Sequence, residues 1–134
     1  NISESLAEDV LTDEEAAMFA ALSPRDQRER FVEHWTLKEA YAKARSLGLA
    51  IPFDRFCFRY PNEGAVELTM DLSLKDDPAH WQFWQFRPSP RHVVAVCAER
   101  PYESHSSLIF RESIPGVGEK LVFPDLLRSS AHRP

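Results

Sequence analysis

Phe31-Val32-Glu33-His34-Trp35-Thr36-Leu37-Lys38-Glu39-Ala40-Tyr41-Ala42-Lys43 is the stretch that decides the fold. Phe31, Trp35 and Ala42, with neighbouring Leu and Ala, recur at helical spacing and make one apolar stripe. Upstream, Ser23-Pro24-Arg25-Asp26 supplies the start. Ser23 suits the N-cap, and Pro24 suits the first helical position, where an N–H has no partner to lose. Downstream, Gly48 ends the helix after about Leu47. Beyond that glycine the period changes from helical to alternating. A long helix packed on a small antiparallel sheet, an α+β layer pair, is the architecture this pattern predicts.

The remaining elements follow from the same reasoning. Residues 3 to 22 read as one or two short helices. Thr12-Asp13-Glu14-Glu15 matches a capping box, in which the Thr12 hydroxyl and the Glu15 carboxylate satisfy free amides at a helix start. Phe53 to Tyr60 alternates, with Phe56 and Phe58 on one face and Arg55, Cys57 and Arg59 on the other. Pro61-Asn62-Glu63-Gly64 is a turn signal, and Ala65 to Met70 returns to complete a hairpin. Trp81 to Phe86 and His92 to Ala98 form a second hairpin about Arg87 to Arg91. The run Val93-Val94-Ala95-Val96-Cys97-Ala98 is apolar on both faces, which places it centrally in the sheet. After Glu99 the prolines and glycines break every pattern. Residues 1–101 are therefore expected to be the structured unit and 102–134 an irregular tail, packed back through Leu121, Val122 and Phe123.

The chain has 134 residues, enough for one domain, and 43% of them are hydrophobic. Nine Phe, three Trp and three Tyr supply core anchors and argue against disorder. A net charge of -5 argues against a general nucleic-acid binder, although Arg87-Pro88-Ser89-Pro90-Arg91-His92 is locally basic. Cys57 and Cys97 lie in apolar runs without metal-ligand spacing and read as reduced core residues, which fits a cytoplasmic setting. No run approaches the roughly 20 apolar residues of a membrane span, and no signal-peptide pattern opens the chain. Asn1-Ile2-Ser3-Glu4 runs straight into helix-like sequence without an initiator Met, as in a chain cut from a longer one.

Glu39 and Lys43 stand four apart and project from one side of the helix, with Trp35 one turn before them on the same stripe. As an exposed ion pair they contribute only about 0.2–0.5 kcal/mol. Lys38 has the ordinary reading of a solvated lysine. A carboxylate and an ammonium at one-turn spacing can also hold a magnesium ion and a phosphate together. Magnesium usually takes one or two carboxylates and completes its shell with substrate phosphates and water. Glu39 alone makes a feeble site, and the sequence offers no convincing second carboxylate. His34, His80, His92, His105 and His132 have no ligand spacing, and Ser104-His105-Ser106-Ser107 lacks an acidic partner for a triad.

Trp35-Thr36-Leu37-Lys38-Glu39-Ala40-Tyr41-Ala42-Lys43 resembles the W-x-x-K-E-A-x-x-K signature of 4′-phosphopantetheinyl transferases. Gly48-Leu49-Ala50-Ile51-Pro52-Phe53-Asp54-Arg55-Phe56 resembles the G-L-x-x-P-x-D-x-F segment of the larger, surfactin-synthetase-activating type, and Val94-Ala95-Val96-Cys97-Ala98 resembles its closing strand. The likeness covers about residues 5 to 100. It implies one half of a two-half fold that transfers phosphopantetheine from coenzyme A to a serine of an acyl or peptidyl carrier protein. By the same resemblance Glu39 ligates magnesium and helps to deprotonate that serine. Lys43 and Lys38 are expected to contact coenzyme A, and Trp35 is a packing anchor.

The acidic G-x-D-x-E strand of that family has no match here. The resemblance therefore implies a C-terminal half, completed by an N-terminal half or by another chain that supplies the strand. A sheet without that neighbour is expected to carry an unpaired edge that pairs with another chain. Self-assembly in the manner of the small trimeric synthases ranks below this, because those carry the acidic motif themselves. The alternatives are an inactive fragment, or a non-catalytic carrier-protein-binding module whose face is Arg28, Arg30, Lys43 and Arg45.

Overall fold

Among the described residues three α-helices precede the strands: α1 (Glu4–Val10), α2 (Asp13–Ala20) and α3 (Pro24–Ala44). The computed structural model describes residues 4–45, 51–100 and 108–130. The capping box forms as its residues dictate, with the Glu15 N–H donating to Thr12 Oγ1 at 3.2 Å and the Thr12 N–H to Glu15 Oε1 at 2.9 Å. At the head of α3 the Asp26 N–H donates to Ser23 Oγ at 3.3 Å, and Pro24 occupies the first turn. The expected stop at Gly48 lies outside the described residues.

Among the described residues seven strands follow: β1 (Phe56–Arg59), β2 (Ala65–Met70), β3 (Trp81–Ser89), β4 (His92–Glu99), β5 (Phe110–Ile114), β6 (Gly118–Val122) and β7 (Asp125–Ser130). Both expected hairpins are present as antiparallel pairs, β1 with β2 and β3 with β4. The α+β architecture holds, but the sheet is mixed. Its order is β1-β2-β7-β3-β4, and β7 runs parallel to β2 and antiparallel to β3.

Two expectations are corrected here. The tail is not irregular throughout, because residues 110–130 form a separate β5–β6 hairpin and a strand that joins the main sheet. β7 finds its place because β2 and β3 each present unpaired backbone groups, and a strand between them satisfies both sides at once. Ser129 N–H donates to the Gly64 carbonyl at 3.0 Å, and Phe83 N–H to Ser130 Oγ at 3.0 Å. The tail thus packs back through β7, whereas Leu121 and Phe123 are exposed. The second correction concerns β4, which lies at the edge of the sheet and not at its centre. Its apolar residues are used against α3, which packs over it, while Val94 remains exposed.

The core gathers Leu37 and Tyr41 of α3 with Phe56, Phe58, Val66 and Phe83 of the strands. Tyr41 meets Phe56 at 5.0 Å between ring centroids, and Phe58 meets Phe83 edge-on at 5.0 Å. Cys57, on the face expected to be shared with Arg55 and Arg59, is buried because α2 covers that side of β1. Both cysteines are free. Burial pushes the Cys57 and Cys97 thiols up to about 12, so each stays protonated.

The last described turn of α3 is fastened by Asp76. Its Oδ2 accepts from Tyr41 Oη at 2.5 Å and Trp81 Nε1 at 2.7 Å, and Arg45 Nη1 donates to Tyr41 Oη at 3.1 Å. Tyr41→Phe removes one donor to this carboxylate and leaves the ring contacts in place. Its expected cost is about 1.5–3 kcal/mol of folding stability in urea denaturation. A change below about 0.5 kcal/mol contradicts this role for the hydroxyl.

Candidate functional site

The charged residues of α3 point in two directions. Lys38 turns inward and is wholly buried. Its Nζ donates to Glu15 Oε1 at 2.5 Å, the Val10 carbonyl at 2.6 Å and the Phe53 carbonyl at 2.7 Å. An ammonium has three donors, and all three are taken. The Phe56 ring lies 5.1 Å from the same nitrogen. This arrangement corrects the expectation that Lys38 contacts coenzyme A: it has neither a free donor nor an opening to solvent. It is equally unlike the solvated lysine of the ordinary reading.

Glu15 is only 2% exposed and serves several partners at once. Besides capping α2, its Oε2 accepts the Phe58 N–H of β1 at 2.9 Å. His34 Nδ1 lies 3.3 Å from the same oxygen, too poorly directed for a full hydrogen bond but close enough to act electrostatically. Burial pulls the Glu15 carboxyl upward, yet the His34 ring and the Lys38 ammonium outweigh it and hold it at about 2. Burial draws Lys38 below its ordinary value, and Glu15 opposes that shift without cancelling it. Acceptors this close favour the charged form of the pair and offset the cost of its burial.

Glu39 and Lys43 face outward. Their charged ends lie 3.5 Å apart, with the Glu39 side chain 35% exposed and that of Lys43 77% exposed. Trp35, one turn earlier, is partly buried between Phe31 at 6.3 Å and Phe53 at 5.7 Å. Among the described residues, no group of three or more His, Cys, Asp or Glu comes together to hold a metal ion. Glu39 therefore offers one carboxylate, with an ammonium beside it. That donor set fits one corner of a magnesium–phosphate site, since this ion takes few protein carboxylates and fills its shell with phosphate and water.

A second polar cluster, unsignalled by the sequence, ties β7 to α3. Arg128 Nη1 lies 3.3 Å from Glu33 Oε2 and donates to Gln85 Oε1 at 2.5 Å. Gln85 Nε2 in turn donates to the Glu33 carbonyl and to Thr36 Oγ1, each at 2.9 Å. Among the basic residues considered for docking, Arg30 pairs with Glu33 at 3.6 Å and lies over the Tyr60 ring at 4.6 Å. Arg45 is turned to Asp76 at 3.5 Å and to the Leu74 carbonyl at 3.1 Å. With Lys43 paired to Glu39, three of the four cations thus have an acidic partner within the chain. A hollow lined by Glu15, Met18, Phe19, His34, Arg59 and Tyr60 lies between α2, α3 and β1, and neither Glu39 nor Lys43 lines it. Among the described residues, no helix is long and apolar enough to cross a membrane.

Comparison with known proteins gives a consistent family. The model of the 4′-phosphopantetheinyl transferase superfamily matches residues 1–97. 4′-Phosphopantetheinyl transferase Sfp of Bacillus subtilis (strain 168) is 29% identical over 76 residues, which are 57% of this chain and 32% of that protein. 4′-Phosphopantetheinyl transferase ffp of Bacillus subtilis is 28% identical over 100 residues, 75% of this chain and 43% of its own length. A third Bacillus subtilis 4′-phosphopantetheinyl transferase is 28% identical over 81 residues, 34% of its length. The matched region thus spans less than half of each of these relatives. No solved structure matches the chain.

The two carboxylates of this region are expected to behave differently. Glu39→Gln alters an exposed pair and shifts folding stability by less than about 0.5 kcal/mol, measured by urea denaturation. A loss above about 2 kcal/mol contradicts the exposed placement of Glu39. For Glu15, the folded-state value of about 2 lies below the ordinary 4.5. Its contribution is therefore fully present above pH 4.5 and is lost as pH falls toward about 2. Acid titration followed by circular dichroism is expected to show a steeper loss of stability in this window for the wild type than for Glu15→Gln. Parallel acid limbs contradict the lowered value.

Proposed function

Since this chain belongs to the 4′-phosphopantetheinyl transferase superfamily, we propose that it forms part of an enzyme that moves 4′-phosphopantetheine from coenzyme A to a serine of an acyl or peptidyl carrier protein. The observation that carries this reading is the sorting of the motif on α3. Trp35, Lys38 and Ala42 are packed, while Glu39 and Lys43 stand together at the surface.

In the transfer, the serine oxygen bonds to the phosphorus that carries pantetheine. The bond from that phosphorus to the leaving phosphate breaks, and adenosine bisphosphate departs. A magnesium ion held there would neutralise the charge that the pyrophosphate carries and develops. Glu39 supplies one carboxylate to that ion and takes the serine proton when the hydroxyl comes within hydrogen-bond reach. Lys43, on a long exposed stem, binds a phosphate oxygen as a point charge. The remaining acidic ligands come from a strand outside this chain, contributed by an N-terminal half or by another chain. The setting is cytoplasmic, consistent with two free cysteines. The pairing of Arg30 with Glu33 and of Arg45 with Asp76 disfavours the reading as a purely carrier-binding module.

The test is mass spectrometry of an apo carrier protein after incubation with coenzyme A, magnesium and the enzyme assembled from this chain and its acidic partner segment. The carrier is expected to gain one phosphopantetheine. Glu39→Gln is expected to lower the rate by at least about 100-fold. Lys43→Ala is expected to weaken coenzyme A binding by about 10- to 100-fold. A carrier that binds but gains no mass favours the non-catalytic module. An unchanged rate in Glu39→Gln, or an unchanged affinity in Lys43→Ala, removes that residue from the site.

A further inference from the structure

Lys38 and Glu39 are consecutive on α3, so their side chains leave the helix about 100° apart. Fixing the direction of one fixes the direction of the other. The Lys38 ammonium is held by acceptors from three separate segments. These are the carboxylate of Glu15 in the first turn of α2, the Val10 carbonyl at the end of α1, and the Phe53 carbonyl ahead of β1. A helix pinned at one point from three directions cannot roll without breaking a charged contact in a place water does not reach.

Glu15 is the charged member of the three acceptors, and its second oxygen is itself fixed at 2.9 Å by the Phe58 N–H. A line of restraint therefore runs from strand β1 through the Glu15 carboxylate and the Lys38 ammonium to the backbone that bears Glu39. We propose that Glu15 is a positioning residue for Glu39: it sets the roll of α3, and with it the direction in which Glu39 presents its carboxylate. This inference rests on the reading of Glu39 as a magnesium ligand. Metal ligands are commonly aimed by partners behind them that never touch the ion. Here the aiming passes through the helix itself. Asp76 independently fastens the next turn through Tyr41 and Arg45. Loss of Glu15 removes the one charged acceptor and leaves Lys38 on the Val10 and Phe53 carbonyls, so the roll at Glu39 loosens while Asp76 keeps the helix docked.

Two variants test this in the enzyme assembled from this chain and its acidic partner segment. Glu15→Gln keeps the side-chain shape and removes its charge. Glu15→Gln combined with Lys38→Met removes both charges, so that no ion is left buried alone. Coenzyme A binding is measured by calorimetry with and without magnesium, at a temperature where circular dichroism shows each variant folded, with Glu39→Gln as the control. Both variants are expected to weaken the magnesium-dependent binding by at least about tenfold and to leave binding without magnesium unchanged. Lower melting temperatures with wild-type affinity overturn the proposal, because the pair then serves only folding. Failure of both variants to fold overturns it for the same reason. If Glu39→Gln binds as the wild type does, the metal reading of Glu39 falls, an outcome distinct from failure of the aiming role alone.

Discussion

A lysine ammonium removed from water keeps its proton only where acceptors replace the lost hydration. At Lys38 those acceptors are two backbone carbonyls and the Glu15 carboxylate, all within 2.7 Å. The requirement is mutual, because an ionised carboxylate as buried as Glu15 is equally costly without a cation. Satisfying both charges brings together the end of α1, the cap of α2, the middle of α3 and the approach to β1. Apolar packing of Leu37, Tyr41, Phe56 and Phe58 fills the space between these elements. It is the charged pair that fixes how α3 is turned, since hydrophobic contact is non-directional and an ion pair in a dry interior is not.

The parts of this fold legible in the sequence are those fixed by neighbours along the chain. Ser23 and Pro24 mark the head of α3, Thr12 and Glu15 make their box, and the alternation from Phe56 to Met70 gives a hairpin. What escaped depends on partners distant in sequence. Glu15 is recognisable as a capping residue, and nothing local tells that its carboxylate also holds Lys38 and Phe58. Lys38 carries the most solvent-loving of side chains, and its three acceptors are contributed by the segments around Val10, Glu15 and Phe53. The apolar run of β4 suggested a central strand, yet its residues are at most partly buried, at the sheet edge with α3 against them. β7 escaped because Asp125-Leu126-Leu127-Arg128-Ser129-Ser130 has no alternating pattern. Its strand character is imposed by the open edges of β2 and β3.

Consecutive residues of one motif thus meet opposite surroundings. Lys38 is a structural charge, and Glu39 with Lys43 is a surface pair held on a rigid element. The Glu39–Lys43 contact is weak by itself, so little stability would be lost if either group turned to a metal ion or a phosphate, as the proposed function requires. A strongly paired glutamate would make a poor ligand for the same reason. The family match ends at residue 97, yet β7, from Asp125 to Ser130, lies inside the sheet and anchors Arg128 against Glu33. The sheet under the candidate site therefore draws on residues beyond those matched to the superfamily.

The most direct measurement is nitrogen-15 NMR of the Lys38 side chain at neutral pH. A charged, fully bonded ammonium is expected to give a protonated Nζ signal with slow hydrogen exchange and couplings across its bonds to the Val10 and Phe53 carbonyls. A rapidly exchanging signal like that of a solvated lysine, or the shift of a neutral amine, would contradict the buried ion pair and with it the fixed turn of α3.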